Sequence, residues 1–568
     1  PLQNSHGAIE LELDERGGTD FFGYYGEKTM LDENNALLWQ FETAQRSSPG
    51  FKSIDSLDRT SNQTSTQDSG FQLTDYVLKL GWQGVRQSVT LKTQYSEETS
   101  NETYLGLTDT DFNANPNRRY GLSNIDQMNN HHAGISLQHT IDWNYNWSQE
   151  TQVYHQRFSR DWFKLAGGGD LIDAANQGDA NAQGILDGTI DTSDLEYKHN
   201  NRDYISEGIS TRVNLTMGDH LLQAGVRLHQ DEMDRFQPAE IYDQVGGALV
   251  FQENVAATGG DNRLESAEAV SFWLTDDWQL NDRVNTQLLL RHEAVESSQI
   301  QYATVDRTEA GSVESTRSND SAELLPGASI TFDVNEKIQL LAGVHRGFSP
   351  LGGGAQAFEE PETSVNYEAG MRFRNEQWFT EIIGFYSDFN NKAENCSVGA
   401  PCTNGDTSGR FITGEATIAG LELQTAAQIQ FSGFALPIGA SYTYTQAELD
   451  QADISGLAAG DQLKDVPEHL LRLQTGYEAG NGWNTYVIGN YIDELCATTG
   501  CNRTSDSLSR TEDFWTVDLI THIPLQPDLE LFVKAANVFD QQAIVSRSPD
   551  GARPNLPLTL SMGVNIAL

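Results

Sequence analysis

The arginines of this strongly acidic chain are the residues with the clearest chemical potential. Its 568 residues include 81 Asp and Glu but only 36 Lys and Arg, which gives a formal net charge of −45. A guanidinium group can donate two parallel hydrogen bonds to a carboxylate, so converging arginines could bind a compact carboxylate anion. Because the chain is so acidic overall, a positively charged pocket requires several basic residues to lie together at one place. The same balance excludes nucleic acid as a partner, because phosphate binding needs a basic surface.

Two adjacent arginines, Arg118 and Arg119, are followed directly by Tyr120. They could form a cation pair beside an aromatic wall and bind an anion. The alternative is a solvated loop tip at which the arginines pair with Asp109 or Asp111. The sequence leaves both interpretations open.

Neither a metal site nor a catalytic site of the protein is predicted. His131 and His132 are adjacent, and adjacent residues on a strand point to opposite faces, so this pair cannot chelate one ion there. The sequence contains no GxSxG, HExxH or Walker motif. We therefore expect that the chain is not an enzyme and holds no cofactor.

The four cysteines form two local pairs. Such short spacings could indicate a metal site, but neither pair has a CxxC spacing or a nearby His cluster. We expect two loop-closing disulfides, Cys396–Cys402 and Cys496–Cys501, which form in an oxidising compartment.

The elements that must position these residues are strands. Residues 556–568 place an apolar side chain at every second position, from Leu556 to Leu568, with mostly small or polar residues between them. This period of two predicts a strand with one apolar face, and its length suits a tilted membrane-spanning strand of about 9–11 residues. Similar alternation along the chain gives about 22 strands. The mean hydropathy is only −0.49, but a barrel tolerates this because half of each strand faces a polar lumen.

The connections between these strands alternate between short and long along most of the chain. This pattern predicts an all-β fold: a 22-stranded antiparallel transmembrane β-barrel with short periplasmic turns and long extracellular loops. Both termini then lie on the periplasmic side, and residues 1–568 form one barrel domain whose first strand lies near residues 7–13. The chain begins without an initiator Met or a signal peptide, so we expect that a segment precedes it.

The barrel places most of the candidate arginines at its extracellular end. Arg118 and Arg119 fall in a long outer loop, Arg202 directly precedes the eighth strand, and Arg263 directly precedes the tenth. Arg346 sits where the thirteenth strand enters its loop, and there it could either contact a bound ligand or pack against a plug or a neighbouring strand. Arg235 is flanked by acidic residues, which favours an ion pair. A barrel this wide would leak solutes if it were open, so a plug is expected in the intact protein.

Several segments carry a resemblance to a known family. From about residue 7 to Leu568 the chain resembles the barrel of a TonB-dependent outer-membrane receptor, and within that group it is most similar to the ferric dicitrate receptors. The segments that carry it are 102–109 (ETYLGLTD), 117–120 (NRRY), 158–165 (FSRDWFKL), 226–237 (VRLHQDEMDRFQ), 345–350 (HRGFSP), 366–370 (NYEAG), 466–469 (VPEH) and 536–541 (ANVFDQ). The chain departs from the family at Leu568, where an aromatic residue is usual. The plug and the TonB-contacting segment of the family are not in this sequence.

The resemblance implies a monomeric receptor in the outer membrane of a Gram-negative bacterium, in contact with membrane lipid and lipopolysaccharide. Its cargo would be a ferric chelate, ferric citrate or a similar carboxylate siderophore, with iron as cargo rather than cofactor. The TonB–ExbB–ExbD complex would energise uptake through the missing plug. The positions of Arg202 and Arg263 resemble those where ferric dicitrate receptors hold their cargo. The candidate cargo-binding residues are therefore Arg118, Arg119, Arg202, Arg263 and Arg346.

Two alternatives stay open. A chain that truly lacks a plug would be a passive wide pore without chelate selectivity. A receptor could instead take another cargo, such as a different siderophore, a glycan or cobalamin. Glycan cargo predicts exposed aromatic platforms in the loops, and Trp162 and Phe163 are candidates for that role.

Overall fold

The structure is a computed structural model that describes residues 6–55, 68–396, 402, 409–452, 457–501 and 507–568. Long antiparallel strands dominate it. We number the 22 barrel strands of the described residues β1–β22 in chain order: His6–Asp14, Thr19–Met30, Ala36–Ser48, Phe71–Gln83, Gln87–Ser100, Gln127–Asp142, Trp147–Leu165, Arg202–Met217, His220–Phe236, Gly259–Asn281, Val284–Tyr302, Val313–Asn335, Ile338–Ser349, Glu362–Arg374, Trp378–Cys396, Gly409–Phe431, Phe434–Ala452, His469–Ala479, Asn484–Ile492, Phe514–Gln526, Leu529–Ala536 and Thr559–Ala567.

Each strand pairs with the next along the chain, and the last strand returns to the first. β22 pairs with β1 in antiparallel register, from Ala8 opposite Ala567 to Asp14 opposite Ser561. The sheet therefore closes, which removes its unpaired edges. The predicted 22-stranded antiparallel barrel is confirmed.

The alternation of side chains gives the barrel an apolar outer face. Val153 on β7, Ile209 on β8 and Leu228 on β9 lie side by side in register, and all three are exposed. Exposed apolar side chains of this kind suit contact with lipid on the outside of a membrane barrel. Within the described residues, no helix combines the length and apolarity needed to cross a membrane.

Tight turns join the strands at the periplasmic end, and most of the extracellular loops are long. One extracellular connection differs from the prediction, because residues 15–18 join β1 to β2 in a short turn. Asp14 stabilises this turn by accepting the backbone N–H groups of Arg16 and Gly18, both at 2.8 Å.

The last strand is shorter than the sequence predicts. The alternation starts at Leu556, but the ladder of β22 starts only at Thr559. Pro557 has no N–H to donate to a ladder, and the N–H of Leu558 is bound instead to the Asp540 carboxylate at 2.8 Å.

Short elements fill the extracellular loops. The helices are α1 Asp109–Ala114, α2 Gly168–Asn176 and α3 Ala180–Leu186, with 3-10 turns at Gly121–Ser123 and Ser507–Ser509. Among the short strands, Ser53–Ile54 pairs with Arg118–Arg119, and Ile544–Ser546 pairs with Arg553–Pro554. Ala239–Val245 pairs with Thr192–His199 on one side and with Ala248–Val255 on the other.

The main hydrophobic core lies in these loops rather than in the barrel. We call the loops 101–126, 166–201, 237–258 and 537–558 the loop cluster. Their buried apolar side chains pack into one core that includes Leu107, Tyr120, Ile172, Tyr197 and Ile544. This core packs the four loops together at the extracellular end of the barrel.

Both predicted disulfides are formed, Cys396–Cys402 and Cys496–Cys501. Each closes a short stretch of an extracellular loop, so each restrains a loop rather than the barrel.

Candidate functional site

Four arginines form one continuous row across four neighbouring strands. Arg160 on β7 lies directly opposite Arg202 on β8, Arg202 lies opposite Arg235 on β9, and Arg235 lies opposite Arg263 on β10. Cross-strand neighbours are about 5 Å apart, so the row spans about 15 Å. We call these four residues the arginine row.

The arginine row faces the lumen at the extracellular end of the barrel. Each of its members lies an odd number of residues from an exposed apolar residue of the same strand, as Arg202 does from Ile209, and therefore points to the opposite face. A membrane-spanning strand needs about 9–11 residues, and each arginine lies further than that from the periplasmic end of its strand. The row therefore lines the wall of the outer vestibule, above the membrane.

The charges of the row are only partly neutralised. Arg235 pairs with Asp261 at 3.0 Å and Arg263 with Glu265 at 2.7 Å, and Asp261 also pairs with Lys198 at 2.6 Å. Among the described residues, no carboxylate pairs with Arg160 or Arg202. Their closest polar partners are neutral: the Asn200 side chain at 3.2 Å from Arg160 and the Tyr204 hydroxyl at 3.3 Å from Arg202.

Buried donors of the row also lack acceptors. Within the described part of the chain, the buried Nε–H groups of Arg160, Arg202 and Arg235 have no hydrogen-bond partner, and that of Arg263 lies 2.7 Å from Glu265 without hydrogen-bond geometry. Buried polar groups are almost always paired, so three unpaired donors on one wall indicate a site for an acceptor from outside the chain. Carboxylate oxygens are suitable acceptors for guanidinium donors.

Electrostatics support this interpretation. Burial, reinforced by Arg263 and Arg202, lowers the pKa of Arg235 to about 10. Burial, and then the charge of Arg202, lowers the pKa of Arg160. Like charges held together in a partly desolvated wall destabilise one another, and a bound anion would relieve that repulsion.

Aromatic residues lie beside the row. One layer further into the lumen, the Phe158 and Tyr204 rings pack with their centres 5.8 Å apart. The arginines therefore lie beside an aromatic pair on the same wall of the barrel.

Arg118 lies in the predicted outer loop, but carboxylates of the protein itself neutralise its charge there. It contacts Asp55 at 2.8 Å, Asp111 at 2.7 Å and Asp187 at 2.6 Å, and its guanidinium lies 4.8 Å from the centre of the Tyr120 ring. This agrees with the ion-pair alternative, although the carboxylates come from three loops rather than from one tip. A role in cargo binding stays a prediction.

Arg119 is buried in the loop cluster. It donates to the Ser123 hydroxyl at 2.8 Å, to the Ser123 carbonyl at 2.5 Å and to the carbonyl of Asn101. Burial lowers its pKa to about 10, although Asp126 partly offsets this. The contacts of Arg119 hold two segments of one loop together, and its proposed contact with cargo also stays a prediction.

Asp126 is the most deeply buried acidic group near Arg119. Its carboxylate accepts from the Thr103 hydroxyl at 2.5 Å and from the backbone N–H of Leu165 at 3.2 Å. Burial raises its pKa to about 7, against the effect of its hydrogen bonds and of Arg119.

The remaining candidates lie close to their predicted places. Arg202 is the first residue of β8, and Arg263 lies a few residues inside β10 rather than just before it. Arg346 lies near the extracellular end of β13 and pairs with Glu323 of β12 at 2.8 Å, which agrees with packing against a neighbouring strand. Cargo contact by Arg346 stays a prediction.

Sequence reasoning missed two members of the row. Arg160 was not a candidate, and Arg235 was expected to pair with a flanking acidic residue but pairs with Asp261 instead. Part of the signal was present in the sequence, because counting back from the tight turn between β8 and β9 places Arg202 opposite Arg235. The pairings with Arg160 and Arg263 cross the long loops 166–201 and 237–258, and no turn fixes their register.

The proposed aromatic platforms are used in packing. Trp162 meets the Tyr104 ring edge-to-face at 4.7 Å, and its indole N–H donates to the Glu102 carbonyl at 3.2 Å. The Phe163 ring packs against His199 at 4.5 Å. Glycan cargo is not tested by these contacts.

A closed barrel of 22 strands with tight periplasmic turns and a row of arginines on one wall of its outer vestibule defines an outer-membrane receptor barrel. Comparison with known proteins gives the family. The description "TonB dependent receptor-like, beta-barrel" matches residues 60–538, and the chain belongs to that family. The family and the structural neighbours of the chain are transport receptors, which agrees with the expectation that the chain is not an enzyme.

Individual relatives are more distant. The metal-pseudopaline receptor CntO of Pseudomonas aeruginosa strain UCBPP-PA14 is 26% identical over 317 residues, which cover 54% of this chain and 42% of that protein. The chain therefore matches less than half the length of this relative. The solved structures that share the fold over the whole chain include the Yersinia pestis ferric yersiniabactin receptor FyuA (TM-score 0.74, 13% identity, 80% of that chain) and the unliganded ferric citrate transporter FecA (0.71, 17%, 79%).

Proposed function

We propose that this barrel belongs to a receptor that takes up an anionic metal chelate across the outer membrane, and that the arginine row binds the chelate. The observation that carries the proposal is the set of buried, unpaired guanidinium donors on one vestibule wall. A carboxylate-rich chelate supplies the acceptors that these donors lack.

The relatives support a metal chelate as the cargo class without fixing the chelate. One relative is a metal-pseudopaline receptor, and the structural neighbours include a ferric yersiniabactin uptake receptor, a ferric citrate transporter and a copper transporter. Ferric citrate is the first probe, because it is a compact carboxylate anion that matches a row of arginines. Iron is then cargo, and the chelate is the partner that the vestibule recognises.

Energised uptake needs parts that lie outside the barrel. We propose that an upstream plug fills the lumen and that the TonB–ExbB–ExbD complex acts on it, with the barrel as one domain over residues 1–568. A monomeric state and contact with lipopolysaccharide are further proposals. Conductance of the full-length gene product in a planar bilayer would separate a plugged receptor from a passive pore.

The test of cargo binding is a titration of the full-length gene product with ferric citrate, followed by tryptophan fluorescence or calorimetry. We expect the double variant Arg202→Ala/Arg263→Ala to bind at least about tenfold more weakly, since a hydrogen bond to a charged group contributes about 1.5–3 kcal/mol and 1.4 kcal/mol is a tenfold change.

The matched control is Arg212→Gln. Arg212 lies on the same face of β8 as Arg202, further toward the periplasm, and pairs with Glu150 at 2.9 Å. Its substitution should leave affinity within about twofold. Equal affinity in the double variant and the wild type would remove the row as the binding site, and no binding by the wild type would redirect the search to other siderophores, glycans and cobalamin.

A further inference from the structure

Three metal-binding side chains converge on the far side of the barrel from the arginine row. Glu468, His469 and Asp493 each offer one ligand atom, and these atoms lie within 4.8 Å of one another. His469 is the first residue of β18, and Asp493 directly follows β19. The proposed uptake of a chelate gives this group no role.

The strand ladder brings the group together. The last pair of the β18–β19 ladder is Leu470 opposite Ile492, and the N–H of Asp493 donates to the His469 carbonyl at 3.0 Å. His469 and Asp493 are therefore cross-strand neighbours on one face. Glu468 lies just outside the ladder, where the Gln462 amide holds its carboxylate at 2.7 Å.

The surroundings orient the ligand atoms. The Tyr442 hydroxyl lies 2.9 Å from His469 Nδ1, and the rings of Tyr442 and His469 are stacked. Metal-binding histidines usually direct one ring nitrogen to the ion and the other to a fixed partner, so Nε2 is the nitrogen available here. The carboxylate of Asp493 is also fixed, because it accepts from the backbone N–H of Glu494 at 3.1 Å.

The group lies outside the lumen. His469 shares its face of β18 with Leu473 and Tyr477, and both of these side chains are exposed. A metal ion at this position would therefore contact the outer wall near the extracellular membrane boundary, away from cargo in the vestibule.

One imidazole nitrogen and two carboxylate oxygens suit a divalent first-row transition metal. Calcium and magnesium prefer sites made of oxygen alone, whereas zinc accepts this mixed set and often keeps a fourth position open. We propose that Glu468, His469 and Asp493 form a zinc site that joins the extracellular ends of β18 and β19. Zinc bonds of about 2.0–2.2 Å place ligand atoms about 3.4 Å apart, so the three side chains would draw together on binding.

The experiment measures zinc binding by the purified full-length protein after treatment with a chelator. Calorimetry with zinc chloride and elemental analysis should give one tightly bound zinc ion per chain. His469→Gln should weaken binding at least about tenfold, and Glu468→Gln should also weaken it. These two changes are chosen because Asp493 is buried and its replacement could disturb folding. Heat-dependent gel migration verifies that each variant still forms a barrel.

The control is His522→Gln. His522 pairs with Glu530 at 2.8 Å near the periplasmic end of β20 and β21, so it tests whether any His–carboxylate pair would bind zinc. Its substitution should leave the stoichiometry and affinity unchanged. Absence of a tightly bound zinc ion in the wild type, or equal binding by wild type and His469→Gln, would overturn the proposal. Preference for calcium over zinc at this position would overturn the assignment of the metal.

Discussion

Arg118 in the loop cluster and Arg202 in the arginine row show two uses of the same side chain. Arg118 contacts three carboxylates from three segments of chain. Arg202 contacts a single tyrosine hydroxyl within the described residues, and its buried Nε–H has no partner there. The first arginine holds loops together, and the second has donors left for a ligand. Unused donors, rather than arginines adjacent in sequence, therefore mark the candidate anion site.

The largest effect that this comparison predicts is structural. Arg119→Ala should destabilise loop 101–126 by about 3 kcal/mol or more, because three hydrogen bonds from a charged donor are lost and each contributes about 1.5–3 kcal/mol. Hydrogen exchange should become much faster within that loop while the barrel strands stay protected.

The control for this prediction is Arg157→Gln. Arg157 is mostly exposed and lies 3.5 Å from Asp203, so its loss should change exchange very little. If Arg119→Ala left exchange in loop 101–126 unchanged, Arg119 would not be the residue that holds the loop.

The next effect concerns binding. Arg202→Gln should weaken ferric citrate binding about 10- to 100-fold, because it removes a charged donor of the proposed site. Arg118→Gln should change affinity less than about threefold, since its guanidinium already contacts three carboxylates. Parallel fluorescence titrations of the two variants measure the difference. The opposite ranking would return the cargo site to the loop doublet.

The fold could be predicted from the sequence because alternation is a local property. Ile209, Val213 and Leu215 already show which face of β8 is apolar, and tight turns show where the chain reverses. The start of β22 was misplaced because the apolar alternation continues through Pro557. Proline has no N–H to donate to the neighbouring strand, so the ladder begins after it, and this does not change the hydrophobic pattern. The short turn at residues 15–18 was also missed in the general pattern of long outer loops.

The candidate site was harder to predict because it depends on register across four strands. Arg160 and Arg263 are far apart in sequence, and a shift of one residue in any pairing would turn an arginine to the outer face. Arg235 was assigned to an ion pair with its sequence neighbours, yet those neighbours on a strand point to the other face or lie further along it. Arg118 and Arg119 stood out because they are adjacent, which carries no information about their partners in space.

A smaller effect should appear in the pH dependence of the loop cluster. The pKa of Asp126 is raised to about 7, above the value of about 3.9 for an unfolded chain. The folded state therefore keeps a proton that the unfolded state releases, and this contribution to stability is present below about pH 4 and is lost as the pH rises through 7. Between pH 6 and 8, the free energy of opening of loop 101–126, measured by hydrogen exchange, should fall by about 1 kcal/mol.

Asp126→Asn separates this effect from the other charges nearby, which include Arg119 and Lys164. An amide can accept from the Leu165 N–H and pair with the Thr103 hydroxyl without titrating. Hydrogen exchange in loop 101–126, corrected for intrinsic rates, should then vary less between pH 6 and pH 8. A variant with the same pH dependence as the wild type would show that another group titrates.

The smallest expected effect concerns Arg346 and shows whether it holds the structure together, as Arg118 does, or binds a ligand, as we propose for Arg202. Its ion pair with Glu323 is partly exposed, and pairs of this kind contribute about 0–1 kcal/mol. If the pair only joins β12 to β13, Arg346→Gln should change the free energy of unfolding of the barrel by no more than about 1 kcal/mol. Its affinity for ferric citrate should stay within about twofold of that of the wild type. A tenfold loss of affinity with unchanged stability would instead show that Glu323 releases the guanidinium to cargo. Arg346 would then join the arginine row as a donor available to a ligand, and a neighbouring carboxylate would no longer suffice to classify an arginine as structural.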